Sequence, residues 1–171
     1  MTADLREFAL AVYAADGVAP ACLLLQGRFG LDVNLMLFAA YVGAARGHTL
    51  TSVALDAAKA HVAPWHSEVV RPIRTVREGL KSGPSPAPNP ATAGLREQIK
   101  ELEIQAELIE LDELDRLALP LDPASGAALD RARAALQVVV LATACREPAN
   151  DERAALTTIA TAAARLVETV S

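Results

Sequence analysis

Between Gly30 and Gly47 the chain reads GLDVNLMLFAAYVGAARG, apolar on nearly every side from Val33 to Ala45. A helix without a polar face must be enclosed by protein or by lipid. Crossing a bilayer takes about 20 apolar residues, more than this run supplies. The run therefore predicts the buried central helix (about 33–45) of an all-α domain, and the remaining segments have to cover it. Asp32 stands where an N-cap belongs, because a carboxylate there accepts from unpaired backbone N–H groups and suits the helix dipole.

Composition agrees. Hydrophobic residues make up 52% of the 171, much of it alanine, and aromatic residues only 4%. Alanine-rich, aromatic-poor chains pack helices closely and lack the β-branched and aromatic residues that sheets favour. A chain of this length can bury one real core, so a single helical domain over 1–171 is expected. The net charge of −5 argues against nucleic acid, which selects basic domains. The N-terminus carries Asp4, Arg6 and Glu7 rather than a basic and then apolar run, so no secretory signal is read. No segment suggests a membrane span. Cys22 and Cys145 stand far apart without a CxxC pair, which fits two reduced thiols in a cytoplasmic protein.

Helical spacing places the other elements. A first helix runs from Thr2 or Ala3 to Ala15, with Leu5, Phe8, Val12 and Tyr13 on one face, and Gly17 ends it. A second covers about Val18 to Arg28, with Pro20 in its first turn. Thr51 or Ser52 caps a fourth that reaches about Val62, where Pro64 interrupts it. Pro64 can open a further helical piece through Glu68, Pro72 breaks or kinks that piece, and the helical pattern resumes to about Lys81. Residues 82–92, SGPSPAPNPAT, form a Pro-rich loop. A long amphipathic helix then spans 93–119 and stops at Pro120, and two Ala-rich helices (123–146 and 151–170) complete six to eight in all.

The long helix has two apolar seams. Leu95, Ile99, Leu102, Ala106 and Ile109 alternate by four and three, as in a coiled coil. Ile104, Leu108, Leu111 and Ala118 lie roughly opposite. Between residues 95 and 118 eight carboxylates face three basic residues, and Glu103, Glu107 and Glu110 share one flank. Carboxylates so spaced can bind a hard cation, but a solvated helix flank is the plainer reading. Arg71, Arg74, Arg77 and Lys81 form a cationic stripe on a helix, suited to an anion or to pairing with the acidic helix. His48, His61 and His66 include no HExxH spacing, so neither a metal ligand set nor a catalytic group is assigned. No Gly-rich phosphate loop is present, and no cofactor is implied. Asp32 and Asn34 would line a pocket beside the central helix if one exists.

Several of these pieces together resemble one family. They are Phe8, Tyr13, Gly17-Val18, Cys22-Leu23, Leu25-Gln26, Gly30 and the DVNLMLF run of residues 32–38. Trp65, the RPIR run of residues 71–74, Arg77, Lys81, Leu95-Arg96 and Ile99-Lys100 follow. The sequence is similar over roughly 4–115 to small, largely proteobacterial proteins classed as a domain of unknown function. The resemblance implies a helical cytosolic protein, adds weight to the basic stripe, and supplies no activity and no catalytic residue.

Three functions are compatible with these features. The first is a non-enzymatic adaptor or self-associating protein, binding a partner through Ile104, Leu108 and Leu111 with help from Arg71, Arg74, Arg77 and Lys81. The second is a carrier of an apolar or anionic amphipathic small molecule. Its pocket would hold Asp32 and Asn34, with Trp65 as gate and Arg71 or Arg74 at the head group. The third is a metal-dependent enzyme using His61, His66 and carboxylates, for which ligand spacing gives no support.

Overall fold

A computed structural model describes residues 4–87, 89–117, 119, 121–144 and 146–170. Its elements are α1 (Leu5–Tyr13), α2 (Val18–Phe29), α3 (Val33–Ala44), α4 (Ser52–Trp65), a π-helical turn (His66–Val70), α5 (Arg71–Gly79), α6 (Asn89–Arg116), α7 (Ala128–Leu141) and α8 (Asn150–Val170). The described residues contain no β-strand, only an isolated bridge between His48 and Pro123. No single helix among them is long and apolar enough to cross a membrane.

The Gly30–Gly47 run folds as its pattern requires. Gly30 ends α2 in the left-handed conformation at φ 66°, which a β-carbon would disfavour. The Asp32 carboxylate then accepts from the N–H groups of Asn34 (2.8 Å) and Leu35 (3.4 Å) and starts α3. Every residue of α3 from Asn34 to Ala44 is buried. Phe8, Val12, Leu25, Leu55, Leu114, Leu136 and Ile159 join the same apolar core, so helices from both ends of the chain cover α3.

The largest packing partner of α3 is α7. The two backbones nearly touch at Gly43, where an added Cβ would lie 2.5 Å from the Arg131 carbonyl oxygen and 2.9 Å from Ala132 Cα. Arg131 also donates to the carbonyls of Gly43 (2.9 Å) and Ala44 (3.3 Å), partners the end of a helix otherwise lacks. The C-terminal helices thus complete the core. At the start of α8 the buried Glu152 carboxylate accepts from Arg146 at 2.6 and 2.7 Å and from the Ala149 N–H at 2.6 Å. Those bonds outweigh burial and hold its pKa down at about 2.

Several boundaries differ from expectation. The predicted starts at Thr2 or Ala3, the break at Pro120 and the thiol of Cys145 lie outside the described residues. α1 begins after Asp4, whose side chain accepts from the Glu7 N–H at 2.8 Å. α6 starts at Asn89 rather than 93, since Pro90 falls in its first turn, where a missing N–H costs nothing. α7 is shorter than predicted at both ends.

The clearest correction concerns Pro64 and Pro72. Neither ends the helix, and α4, the π turn and α5 form one continuous rod from residue 52 to 79. A proline cannot donate to the carbonyl four residues back, and its ring crowds that carbonyl. The widened turn lies between the two prolines, and there the Arg71 N–H reaches five residues back to His66.

Replacing Gly43 by Ala forces α3 and α7 apart. The Gly43→Ala protein should lose about 1–3 kcal/mol of unfolding free energy in urea titration, because backbone atoms meet the new methyl and cannot rotate away.

Candidate functional site

The π turn packs on α6, and its first residue faces the cap of α3. His66, the first residue of that turn, places its Nδ1 3.0 Å from Glu110 Oε2 on α6 and 3.1 Å from Asp32 Oδ2 at the start of α3. Glu110 has no exposed surface. Its other oxygen accepts from Asn34 Nδ2 at 3.1 Å, and the same amide group is 3.1 Å from the Glu107 carbonyl. One residue earlier on the rod, the Trp65 indole N–H donates to the Ala106 carbonyl at 2.9 Å. Three elements thus meet at one buried carboxylate.

The charges shift one another. The hydrogen bond to Glu110 raises the His66 pKa above its ordinary 6.5, and Asp32 adds to this against burial and the charge of Arg74. Burial and the charge of Glu110 raise the Asp32 pKa, opposed by His66 and the two capping N–H groups. Burial likewise lifts Glu107, opposed by Arg74. Burial works to raise Glu103 too, but hydrogen bonds from Arg77 and Arg74 overcome it and leave the group below its usual value.

Beside this cluster lies a cleft of about 670 Å³. Its two sides differ. Leu10 and Tyr13 of α1, Leu23 of α2, and Val33 and Leu37 of α3 make an apolar side. Arg74, Arg77, Glu78 and Lys81 make a charged side. α6 supplies both kinds, with Ile104, Leu108 and Leu111 alongside Lys100, Glu103 and Glu107. Asp32, Asn34 and His66 close the polar part. Arg74 donates to Glu103 at 2.8 Å and pairs with Glu107, and Arg77 pairs with Glu103. α5 buries none of its residues, so these pairs, together with its continuity with the π turn, hold it against α6.

The residues singled out from sequence divide as follows. Asp32, Asn34, Arg74, Arg77, Lys81, Ile104, Leu108 and Leu111 come together around the cleft. Arg71 is exposed and stands outside the lining, and Trp65 is anchored on α6 rather than at the cleft. Leu111 is buried, Leu108 half-buried and Ile104 exposed, while Leu95, Leu102 and Ile109 of the other seam face outward. Ala118 lies outside the described residues. His61 stands apart from His66, 3.7 Å from Glu113.

The reading of the acidic flank as solvated is overturned at two positions. Glu103 and Glu110 are buried, on the α6 face that carries Ala106 and Leu114. Their spacing, three and four residues from those apolar neighbours, was the available signal. His66 gave none, because its partners lie 34 residues before it and 44 after it in sequence.

The chain belongs to the family described as proteins of unknown function (DUF2390), which matches residues 4–114. No curated protein and no solved structure matches it. The match covers α1 to most of α6, and so every residue of the cleft and of the Glu110 cluster.

Asn34→Ala takes a donor from the buried Glu110 and from the end of the contact to Glu107. It should lower the unfolding free energy by about 1–3 kcal/mol in urea, with the helical circular dichroism of the folded protein retained.

Proposed function

We propose that the protein is a non-enzymatic carrier of an apolar or amphipathic small molecule, held in the cleft between α1, α2, α3, α5 and α6. One observation carries this reading. Four large apolar side chains that are exposed in this structure converge on that single cleft: Leu10 (50% exposed), Tyr13 (37%), Leu23 (57%) and Ile104 (44%). Apolar groups gathered in a concavity, with a few polar groups at one side, are the ordinary form of a small-molecule site. The volume falls in the usual range of about 300–1,000 Å³. An apolar body would lie along α1, α2 and Ile104, and a polar head would face Arg74, Lys81 and Lys100. Acidic and basic groups are nearly balanced on the charged side, which favours a head that both donates and accepts hydrogen bonds.

A specific observation favours a second reading. Leu95, Leu102 and Ile109 are exposed at seven-residue intervals along α6, the repeat of a coiled-coil seam. That stripe would serve an adaptor or self-associating protein, and it faces away from the core.

Native mass spectrometry of gently purified protein separates the two. The carrier reading expects an added mass of a few hundred daltons, and the assembly reading expects multiples of 18.0 kDa or an added chain. A fluorescent apolar probe then tests the cleft. Ile104→Glu and Leu23→Glu place a charge where the apolar body would lie. Each should weaken probe binding at least about tenfold, because losing one apolar contact of about 1.5–3 kcal/mol changes affinity by that order. Unchanged binding in both would sink the carrier reading.

A further inference from the structure

We propose that Asp32, His66 and Glu110 bind one divalent transition-metal ion, of the class that takes mixed imidazole and carboxylate ligands (Zn2+, Mn2+ or Fe2+), at the polar end of the cleft. The three residues come from three separate elements, and one candidate ligand atom of each lies within 4.8 Å of the other two. A tetrahedral ion with bonds of about 2.0–2.2 Å separates its ligand atoms by about 3.3–3.6 Å. The two distances from His66 Nδ1, 3.0 and 3.1 Å, need only a few tenths of an ångström of opening to reach that separation.

The hydrogen bonding of the cluster points the same way. Each carboxylate has one oxygen fixed by the protein: Asp32 Oδ1 by the N–H groups of Asn34 and Leu35, Glu110 Oε1 by the Asn34 amide. The second oxygen of each is left to face the same ring nitrogen. A single nitrogen carries at most one proton, and that proton cannot serve two carboxylate oxygens fully. An ion in the proton's place would bond both oxygens and the nitrogen together. Ligand carboxylates whose outer oxygens are held by hydrogen bonds are the usual second layer of a metal site.

Charge balance adds a third argument. Two ionised carboxylates with one protonated imidazole leave a negative charge beside a fully buried Glu110. With a neutral imidazole, a divalent ion brings the cluster to zero. The charge of Arg74 also reaches this cluster, but Arg74 is already paired with Glu103 and Glu107. Asp32 and His66 both line the cleft, which supplies an entry path and room for water or a polar head at the remaining coordination positions. A nitrogen ligand and a small donor number favour a transition metal over Ca2+ or Mg2+, which prefer cages of oxygen.

The test is titration of the full-length, chelator-treated protein with Zn2+ by calorimetry and with Mn2+ by electron paramagnetic resonance. Mg2+ serves as the control. The expected result is one ion per chain with micromolar or tighter affinity for Zn2+ or Mn2+, and at least tenfold weaker binding in His66→Gln and Glu110→Gln. Should Glu110→Gln fail to fold by circular dichroism, Asp32→Asn replaces it, because asparagine keeps the cap and removes the ligand charge. His61→Gln, outside the cluster, should leave the affinity unchanged. Absence of one-to-one binding to both metals overturns the proposal, as does equal affinity in the wild type and His66→Gln. The apolar probe reads the other half of the cleft, so failure of the metal site and failure of the carrier reading are separate results.

Discussion

A carboxylate cannot be buried without fixed partners, and Glu110 is buried completely. Leaving such a charge unpaired would cost several kcal/mol, comparable with much of the stability of a domain. Its partners therefore have to stay in place. Asn34 is locked into the first turn of α3, and His66 is set by the π turn between two prolines. Satisfying Glu110 ties α6 to the start of α3 and sets where the π turn meets them. α3 is itself enclosed from Asn34 to Ala44, so the cluster is referenced to the most deeply buried element of the fold.

The cleft follows from that arrangement. Holding the rod at His66 and Trp65 leaves α5 to project along α6, where the Arg74 and Arg77 pairs with Glu103 and Glu107 keep it. α1 and α2 pack on α3 from the other side and present Leu10, Tyr13 and Leu23 to the same space. The two sides rest on different forces. The apolar side belongs to helices sunk into the core, whereas α5 has no fully buried residue and leans on ion pairs that solvent partly screens. A polar wall opposite an apolar one suits an amphipathic molecule.

Much of the architecture was legible in the sequence because its signals are local. An apolar run with a capping aspartate and flanking glycines names its own helix and its own burial, and α3 lies where that pattern puts it. The site was harder to read for two physical reasons. Proline marks a lost hydrogen bond, but sequence does not say whether a helix ends there or widens by one residue, and the widening decides where His66 points. A glutamate on a charge-rich helix reads as solvated until its neighbours are known, and the donors that let Glu110 be buried, Asn34 and His66, belong to other elements. Asp32 was recognised as a cap from one of its oxygens. The role of its other oxygen depends on a residue 34 positions away.

The account depends on Glu110 and His66 acting as a coupled pair that joins α6 to the rod. A double-mutant cycle on unfolding free energy, with His66→Gln, Glu110→Gln and both together in chelator-treated protein, measures that coupling directly. The account predicts an interaction of about 1.5–3 kcal/mol, the range for a hydrogen bond to a charged group. Effects of the two substitutions that simply add, to within about 0.5 kcal/mol, would contradict it.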